Sequence, residues 1–213
     1  MPERNAGSLI IVTGASGVGK DAVCGQLLTD FHPRLERIVT YASRPPRPGE
    51  VDGVDYHFVT PDHFSTLIEQ GEFAEYTKYG STYKGTHRNS FRGVIYDGNN
   101  YLWRIDPERA ATFDTFLKNS FPPDEAQALR SQTMRLYVGS RLTTVYDRAK
   151  ARAGADFDRE EFRERVRQDW SVWQKHGTIF EEGNEILMNT GPLERTVAEA
   201  KNRILTRFPH LAP

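Results

Sequence analysis

A chain of 213 residues, 38% hydrophobic and 27% charged, holds enough apolar side chains for one folded domain and too many for a disordered one. Its net charge of -1 excludes a whole-surface attraction to nucleic acid, so any basic patch has to be local. No apolar run approaches the ~20 residues that cross a bilayer, and the opening MPERNAGS has no signal-peptide pattern, so the reading is a cytoplasmic protein with no membrane and no nucleic-acid partner.

The first predicted element is "LIIV" (Leu9 to Val12), a short continuous apolar run ending at glycines, as in a strand buried on both faces of a parallel sheet. "TGASGVGKD" (Thr13 to Asp21) follows as a Gly-rich loop, and Ala22, Val23, Leu27 and Leu28 then fall on helical spacing. The single cysteine, Cys24, has no disulfide partner and no neighbouring His to activate it, and is expected to pack behind the loop. "RIVTYAS" (Arg37 to Ser43) predicts a second strand, giving way to the Pro-, Gly- and Arg-rich loop "RPPRPGEVDG". "DYHFVT" predicts a strand, and Thr60-Pro61 a helix start whose apolar face is Phe64, Leu67 and Ile68.

Phe73 to Tyr79 reads as a strand, Phe91, Val94 and Ile95 as a short helix, and Tyr101 to Ile105 as a strand again. "FLKNSFPPDEAQALRSQ" is expected to be a surface connection with some helix. Met134 to Val138 and Glu185 to Asn189 are further strands. Between them a helix carries Phe162, Val166, Trp170 and Trp173 on one face, and a last helix from about Pro192 buries Leu193, Val197, Ala200 and Ile204. Strands alternating with helices predict an α/β fold, a parallel sheet covered by helices on both faces, with about 44–95 inserted as a small mixed lobe over the strand ends.

Chemistry concentrates in two places. Gly14, Gly17 and Gly19 let the backbone of Gly14, Ala15, Ser16, Gly17, Val18, Gly19 and Lys20 wrap a phosphate with N–H groups turned inward, and Lys20 supplies a mobile point charge. The usual pattern continues with Ser or Thr for magnesium; Asp21 stands there instead, either as a hard-oxygen ligand for Mg²⁺ or as an acid favouring the helix dipole. In the second place, Pro45 and Pro46 space Arg44 and Arg47 so that two guanidinium forks can hold one phosphate monoester, with Tyr56 adding a hydroxyl. Taken alone, such a loop is more often a solvated basic turn; with a phosphate loop in the same chain the weighting reverses.

"TYASRPPRPGEVDGVDYHFV" and the loop at Gly14 to Lys20 resemble the guanylate kinases, whose matching run is T-x-R-x-P-R-x-G-E-x-x-G-x-D-Y-x-F after a hydroxyl residue. The resemblance continues through "GEFAEYTKYGSTYKGT" and more weakly through "AKARAGADFDREEFRERV" and "EILMNTGPLERTVAEA". It implies a P-loop kinase fold over 1–213, with a core (1–43 and 96–213), a nucleotide-monophosphate-binding lobe (about 44–95) and a helical lid (about 148–168). It implies ATP-dependent phosphoryl transfer to GMP or dGMP, ATP and Mg²⁺ as cofactors, small-molecule partners only, and a monomer or homodimer. For the acceptor it implies Thr40, Arg44, Arg47, Glu50, Tyr56, Glu75, Lys84, Thr86 and Asp106 as binding residues. Guanine offers N1–H and N2–H₂ donors and an O6 acceptor, which suits the carboxylates Glu75 and Asp106 and the hydroxyls Thr86 and Thr40. Each of these four residues can also be an ordinary surface group or helix cap.

Arg148 matches the family's ATP-side arginine, while Arg152 and Arg165, with Lys20 and Arg47, match its catalytic cations; for Arg165 a charged helix exterior paired with Glu161 is the competing reading. Three departures matter, the first being a spacing between Arg152 and Arg165 about two residues longer than the family's. Lys84, preceded by Tyr83, replaces a tyrosine, and the family's L-D-I-D strand end reads Trp103-Arg104-Ile105-Asp106, so a carboxylate has become a cation. Arg104 is accordingly expected to pair with Asp21 or with a phosphate, the metal-facing carboxylate having moved to the loop. Ribose 1,5-bisphosphate kinases resemble the chain in their Gly-Lys-Asp loop, and non-catalytic guanylate-kinase-like scaffold modules resemble it in fold; both stay open as alternatives.

Overall fold

The computed structural model describes residues 7–183 and 185–212. In chain order it forms β1 (Ser8–Thr13), α1 (Lys20–Asp30), β2 (Glu36–Arg37), β3 (Tyr41–Ala42), β4 (His57–Phe58), α2 (Pro61–Glu69), β5 (Phe73–Tyr79), β6 (Thr82–His87) and α3 (Arg88–Tyr96). Then follow β7 (Asn100–Arg104), α4 (Pro107–Ala111), α5 (Phe113–Ser120), α6 (Pro123–Ser131), β8 (Thr133–Gly139), α7 (Leu142–Ala153), α8 (Arg159–Glu182), β9 (Ile186–Met188) and α9 (Leu193–Arg207). The chain divides into two compact units: a larger one from Leu9–Glu36, Leu102–Phe113 and 133–212, and a smaller one from Arg37–Tyr101, Asp114–Gln132 and 7–8.

The sheet of the larger unit runs β2-β7-β1-β8-β9, with β1, β8 and β9 parallel. Every residue of β1 is buried, as the continuous apolar run requires for a strand covered on both faces. Side chains alternate along a strand, so Ile10, Val12, Leu136 and Val138 meet Val23 and Leu27 of α1 and Val197, Ala200 and Ile204 of α9 in one core. Cys24 lies in that core as well. Tyr137, one residue out of phase, faces the other way and packs at 4.9 Å on Trp173 and 4.8 Å on Phe180 of α8. Trimming a core side chain such as Leu27 to alanine costs about 2–5 kcal/mol.

The smaller unit carries the sheet β4-β3-β6-β5, with β6 antiparallel to both neighbours. Thr60 caps α2 by accepting from the His63 N–H at 3.2 Å, with Pro61 at the first helical position as expected. That helix presses Phe64 onto Phe73 (4.3 Å) and Tyr83 (5.4 Å), which fixes the face of β5 and β6 opposite to their polar one.

Three expectations need correction. The single strand over Arg37 to Ser43 is two short ones, because the chain leaves one sheet after Arg37 and joins the other at Tyr41. "DYHFVT" pairs only at His57 and Phe58. The connection over 116–132, expected at the surface with some helix, is mostly helical, formed by the end of α5 and by α6, and its Leu117, Phe121, Ala126 and Leu129 are buried; Pro122 caps α6 and Pro123 is its first residue. On α8 the expected apolar face is only partly covered, and Trp170 is 58% exposed.

Candidate active site

In the larger unit β1 ends in a loop whose shape only glycine permits at two points. Gly14 has φ 139°, and a Cβ there would run into the Val138 carbonyl of β8. Gly19 has φ 94°, and a Cβ would meet the Asn189 amide. Thr13 Oγ1 donates to the Ile105 carbonyl at 2.9 Å and pins the strand end. Lys20 folds back over the loop, its Nζ donating to the carbonyls of Gly14 (2.7 Å) and Ala15 (2.6 Å). Burial pushes this ammonium below its ordinary pKa; Asp169 and Asp21 pull it back up and Arg104 pushes it further down.

The loop is held from a distance. The Val18 carbonyl accepts from Arg148 Nη1 (3.0 Å) on α7 and from Asn189 Nδ2 (2.8 Å) just beyond β9. Asn189 is set in turn by Thr196 of α9, whose hydroxyl donates to Asn189 Oδ1 at 3.1 Å. The Ser16 N–H donates to Asp169 Oδ2 of α8 at 2.9 Å. Asp21, 81% exposed at its side chain, forms an ion pair with Arg104 at the end of β7. Beside the loop lies a cavity of about 410 Å³ walled by Val18, Tyr137, Val166, Trp170 and Trp173, with Asp169 the one charged residue among those described in its lining. Burial, then the neighbouring Asp169 carboxylate, pushes the Tyr137 hydroxyl up to about 12, against a hydrogen bond with the Ala15 backbone.

In the smaller unit Arg44 is clamped by Glu50 in a bidentate pair, Nη1 to Oε2 at 2.6 Å and Nη2 to Oε1 at 2.8 Å. Glu50 also accepts the Arg47 N–H at 2.8 Å, closing the Pro-rich loop on itself. The Arg44 guanidinium, then the Arg47 N–H, hold the Glu50 carboxyl down at about 2. Arg44 lies over the rings of Tyr56 (5.5 Å) and Phe58 (5.3 Å), and Lys84 Nζ donates to the Tyr56 hydroxyl at 3.0 Å. The Arg47 side chain is exposed and has no ion-pair partner among the described residues. Lys84 and Thr86 are two apart on β6 and so share a face; across the ladder Thr86 is in register with Glu75 and donates to its Oε1 at 2.6 Å. Thr40 uses its carbonyl to accept from the His57 N–H at 2.9 Å.

The sequence-predicted residues therefore fall into two groups. Gly14 through Asp21 gather with Arg148 and Arg104 in the larger unit, and Arg44, Arg47, Glu50, Tyr56, Glu75, Lys84 and Thr86 in the smaller one. Asp106 caps α4, accepting from the Arg109 N–H at 3.0 Å, while desolvation pushes its carboxyl up. Arg165 pairs with Glu161 at 2.6 Å on the outside of α8. Arg152 sits exposed near the end of α7. Sequence reasoning missed Asn189 and Asp169. Asn189 had a signal, since it ends a parallel strand where such folds bind ligands; Asp169 had none.

A parallel sheet with helices on both faces and a Gly-rich, Lys-bearing loop between its first strand and helix defines a P-loop kinase fold. The crystal structure of guanylate kinase from Anaplasma phagocytophilum has that fold and superposes with a TM-score of 0.62 at 20% identity, covering 95% of this chain and 87% of that one. The family model for guanylate kinase matches residues 6–118. The chain is 41% identical over 112 residues to guanylate kinase 2, chloroplastic/mitochondrial, of Oryza sativa, which is 53% of this chain and 39% of that protein. It is 41% identical over 106 residues to guanylate kinase of Symbiobacterium thermophilum, 50% of each, and 33% identical over 153 residues to that of Mesoplasma florum, 70% of this chain and 50% of that one. The chain belongs to the guanylate kinase family. It spans about half the length of the curated relatives it matches. Among the described residues no helix is long and apolar enough to cross a membrane.

Proposed function

We propose that this chain transfers the γ-phosphoryl group of ATP to GMP or dGMP, giving ADP and GDP or dGDP. The observation that carries the reading is one continuous run of contacts in the smaller unit: Arg44 over Tyr56, Tyr56 to Lys84, and two residues along β6 the Thr86–Glu75 pair. Cations and a phenol at one end suit a phosphate monoester, and a carboxylate with a hydroxyl at the other suits the edge of guanine. The loop of the larger unit, with Lys20 and the glycines, takes the phosphates of ATP. An oxygen of the GMP phosphate attacks the γ-phosphorus, the bond to the β–γ bridging oxygen breaks, and ADP leaves with that electron pair. Such a transfer needs positioning and charge stabilisation, not a protein nucleophile; Lys20, Arg47, Arg148 and Arg152 are the cations that supply it, with Arg165 once its pair with Glu161 opens.

We read 1–43 and 96–213 as the core and about 44–95 as the acceptor lobe, although the smaller compact unit that holds the lobe also takes in 37–43, 96–101 and 114–132, and about 148–168 as a lid whose closure excludes water. Magnesium fits the loop through one protein ligand. Asp21 offers an exposed hard oxygen and shares its carboxylate with Arg104, and Mg²⁺ commonly takes one or two carboxylates with phosphates and water. When bound, the ion neutralises charge on the β- and γ-phosphates. Among the described residues no group of three or more His, Cys, Asp or Glu is placed to hold a metal ion.

The Gly19-Lys20-Asp21 sequence favours one rival, a kinase for ribose 1,5-bisphosphate. A coupled assay of ADP formation with ATP and Mg²⁺, run against GMP, dGMP, AMP, UMP, CMP and ribose 1,5-bisphosphate, separates the two. Turnover limited to the guanine nucleotides is the expected result. Turnover only with the sugar bisphosphate, or with no acceptor, defeats the proposal.

A further inference from the structure

An anion already sits on the phosphate loop, and it belongs to the protein. Asp169 Oδ2 accepts the Ser16 N–H at 2.9 Å, the kind of hydrogen bond a phosphate oxygen makes to such a loop. The same carboxylate acts on the ammonium of Lys20, which is turned inward onto the Gly14 and Ala15 carbonyls. The loop thus has one amide and its cation engaged within the chain, 153 residues separating the amide from its acceptor.

We infer that Asp169 is a positioning residue that occupies the phosphate loop as an internal competitor, so that a nucleotide binds only as the Asp169 carboxylate leaves Ser16. A phosphate and a carboxylate cannot share one amide donor, and their like charges repel at that range. Departure of Asp169 does not require a packed core to open. The neighbouring residues of α8, Val166, Trp170 and Trp173, wall a cavity of about 410 Å³, and Trp170 is 58% exposed, so this stretch of helix has room to shift. If the competitor holds the loop for most of the time, apparent nucleotide affinity falls by the fraction of loops left open. The inference rests on the reading of this loop as the cradle for ATP phosphates.

The test is calorimetric titration of the full chain and of Asp169→Asn and Asp169→Ala with ADP, inorganic pyrophosphate and adenosine, without metal. Asparagine keeps an acceptor for Ser16 and removes the charge; alanine removes both. The expected result is ADP and pyrophosphate binding tightened about fivefold by D169N and about tenfold by D169A, on the scale of a lost charge-assisted hydrogen bond, with adenosine unchanged. Unchanged or weaker pyrophosphate binding in both variants overturns the inference and makes Asp169 a brace of the binding-ready loop. Failure of both variants to fold, read by circular dichroism, overturns it equally, because the carboxylate is then needed by the fold. Silence of wild type and variants alike toward ADP and pyrophosphate removes the loop reading itself, which is distinguishable from a wild type that binds and variants that do not differ.

Discussion

Around the phosphate loop the contacts come from far along the chain, whereas the Arg44–Glu50 clamp and the Thr86–Glu75 pair of the smaller unit are local and the link between them, Lys84 to Tyr56, spans 28 residues. Val18 is reached by Arg148 and Asn189 across 130 and 171 residues, and Ser16 reaches Asp169 across 153. Arg44 and Glu50 are six residues apart, and Glu75 and Thr86 eleven. The loop therefore has its shape only when the whole parallel sheet and its helices are in place. The phosphate fork of the smaller unit is assembled by a Pro-stiffened turn and one hairpin. Damage near the loop should act first on stability, and damage to the fork should act first on acceptor binding, with a smaller effect on stability.

The largest expected effect is on the loop itself. Lys20→Ala should lower kcat by about 10²–10³-fold, the scale for removing one preorganised electrostatic group, in the coupled assay with saturating GMP; retention of more than a tenth of the rate would break the assignment of Lys20. Arg47→Ala should raise the KM for GMP by about 10–100-fold with the KM for ATP little changed, because a charge-assisted contact to the acceptor phosphate is lost. Equal shifts in both constants would erase the contrast between the units. Asn189→Ala strips a buried hydrogen bond from Val18 and removes the shorter of the two acceptors of the Thr196 hydroxyl, leaving the Met188 carbonyl at 3.4 Å. A cost of about 2 kcal/mol follows, seen as a Tm lower by about 4–8 °C, together with weaker ADP binding.

Glu50→Gln should raise the GMP KM by about fivefold through a loosened Arg44, and leave kcat close to wild type. Its pH signature has a definite sign. The Glu50 carboxyl is held at about 2 against an ordinary 4.5, so its share of stability is complete above 4.5 and fades as the pH falls from there toward 2. Chemical denaturation of wild type and variant should differ at pH 6 and converge near pH 2. The smallest effect is expected at Asp21: replacement by Ser releases Arg104 and should lower magnesium-dependent turnover by about two- to fivefold. A faster enzyme would show that the ordinary hydroxyl serves this loop better.

What the sequence disclosed follows the same division. β1, its loop, α1, α2, β5, α3 and α9 were legible from periodicity and caps, since those signals are carried within a few residues. The Arg44–Glu50 clamp lies within one short motif, so its residues are legible from sequence although their pairing is not. Asp169 was invisible because nothing within α8 distinguishes it from the other acids there; only the fold places it against Ser16. The split of Arg37 to Ser43 between two sheets was also illegible, because a run of β-forming residues does not say which sheet each end joins.

The placement of the three tryptophans gives the molecule its own optical markers. Trp103 is 2% exposed and keeps a constant, solvent-shielded emission. Trp170, one residue from Asp169 and 58% exposed, emits from water and is open to a dissolved quencher such as iodide. The ratio of quenchable to shielded light therefore reports on the middle of α8 with no label attached, in a protein whose third tryptophan, Trp173, lines the same cavity as Trp170 and packs on Tyr137.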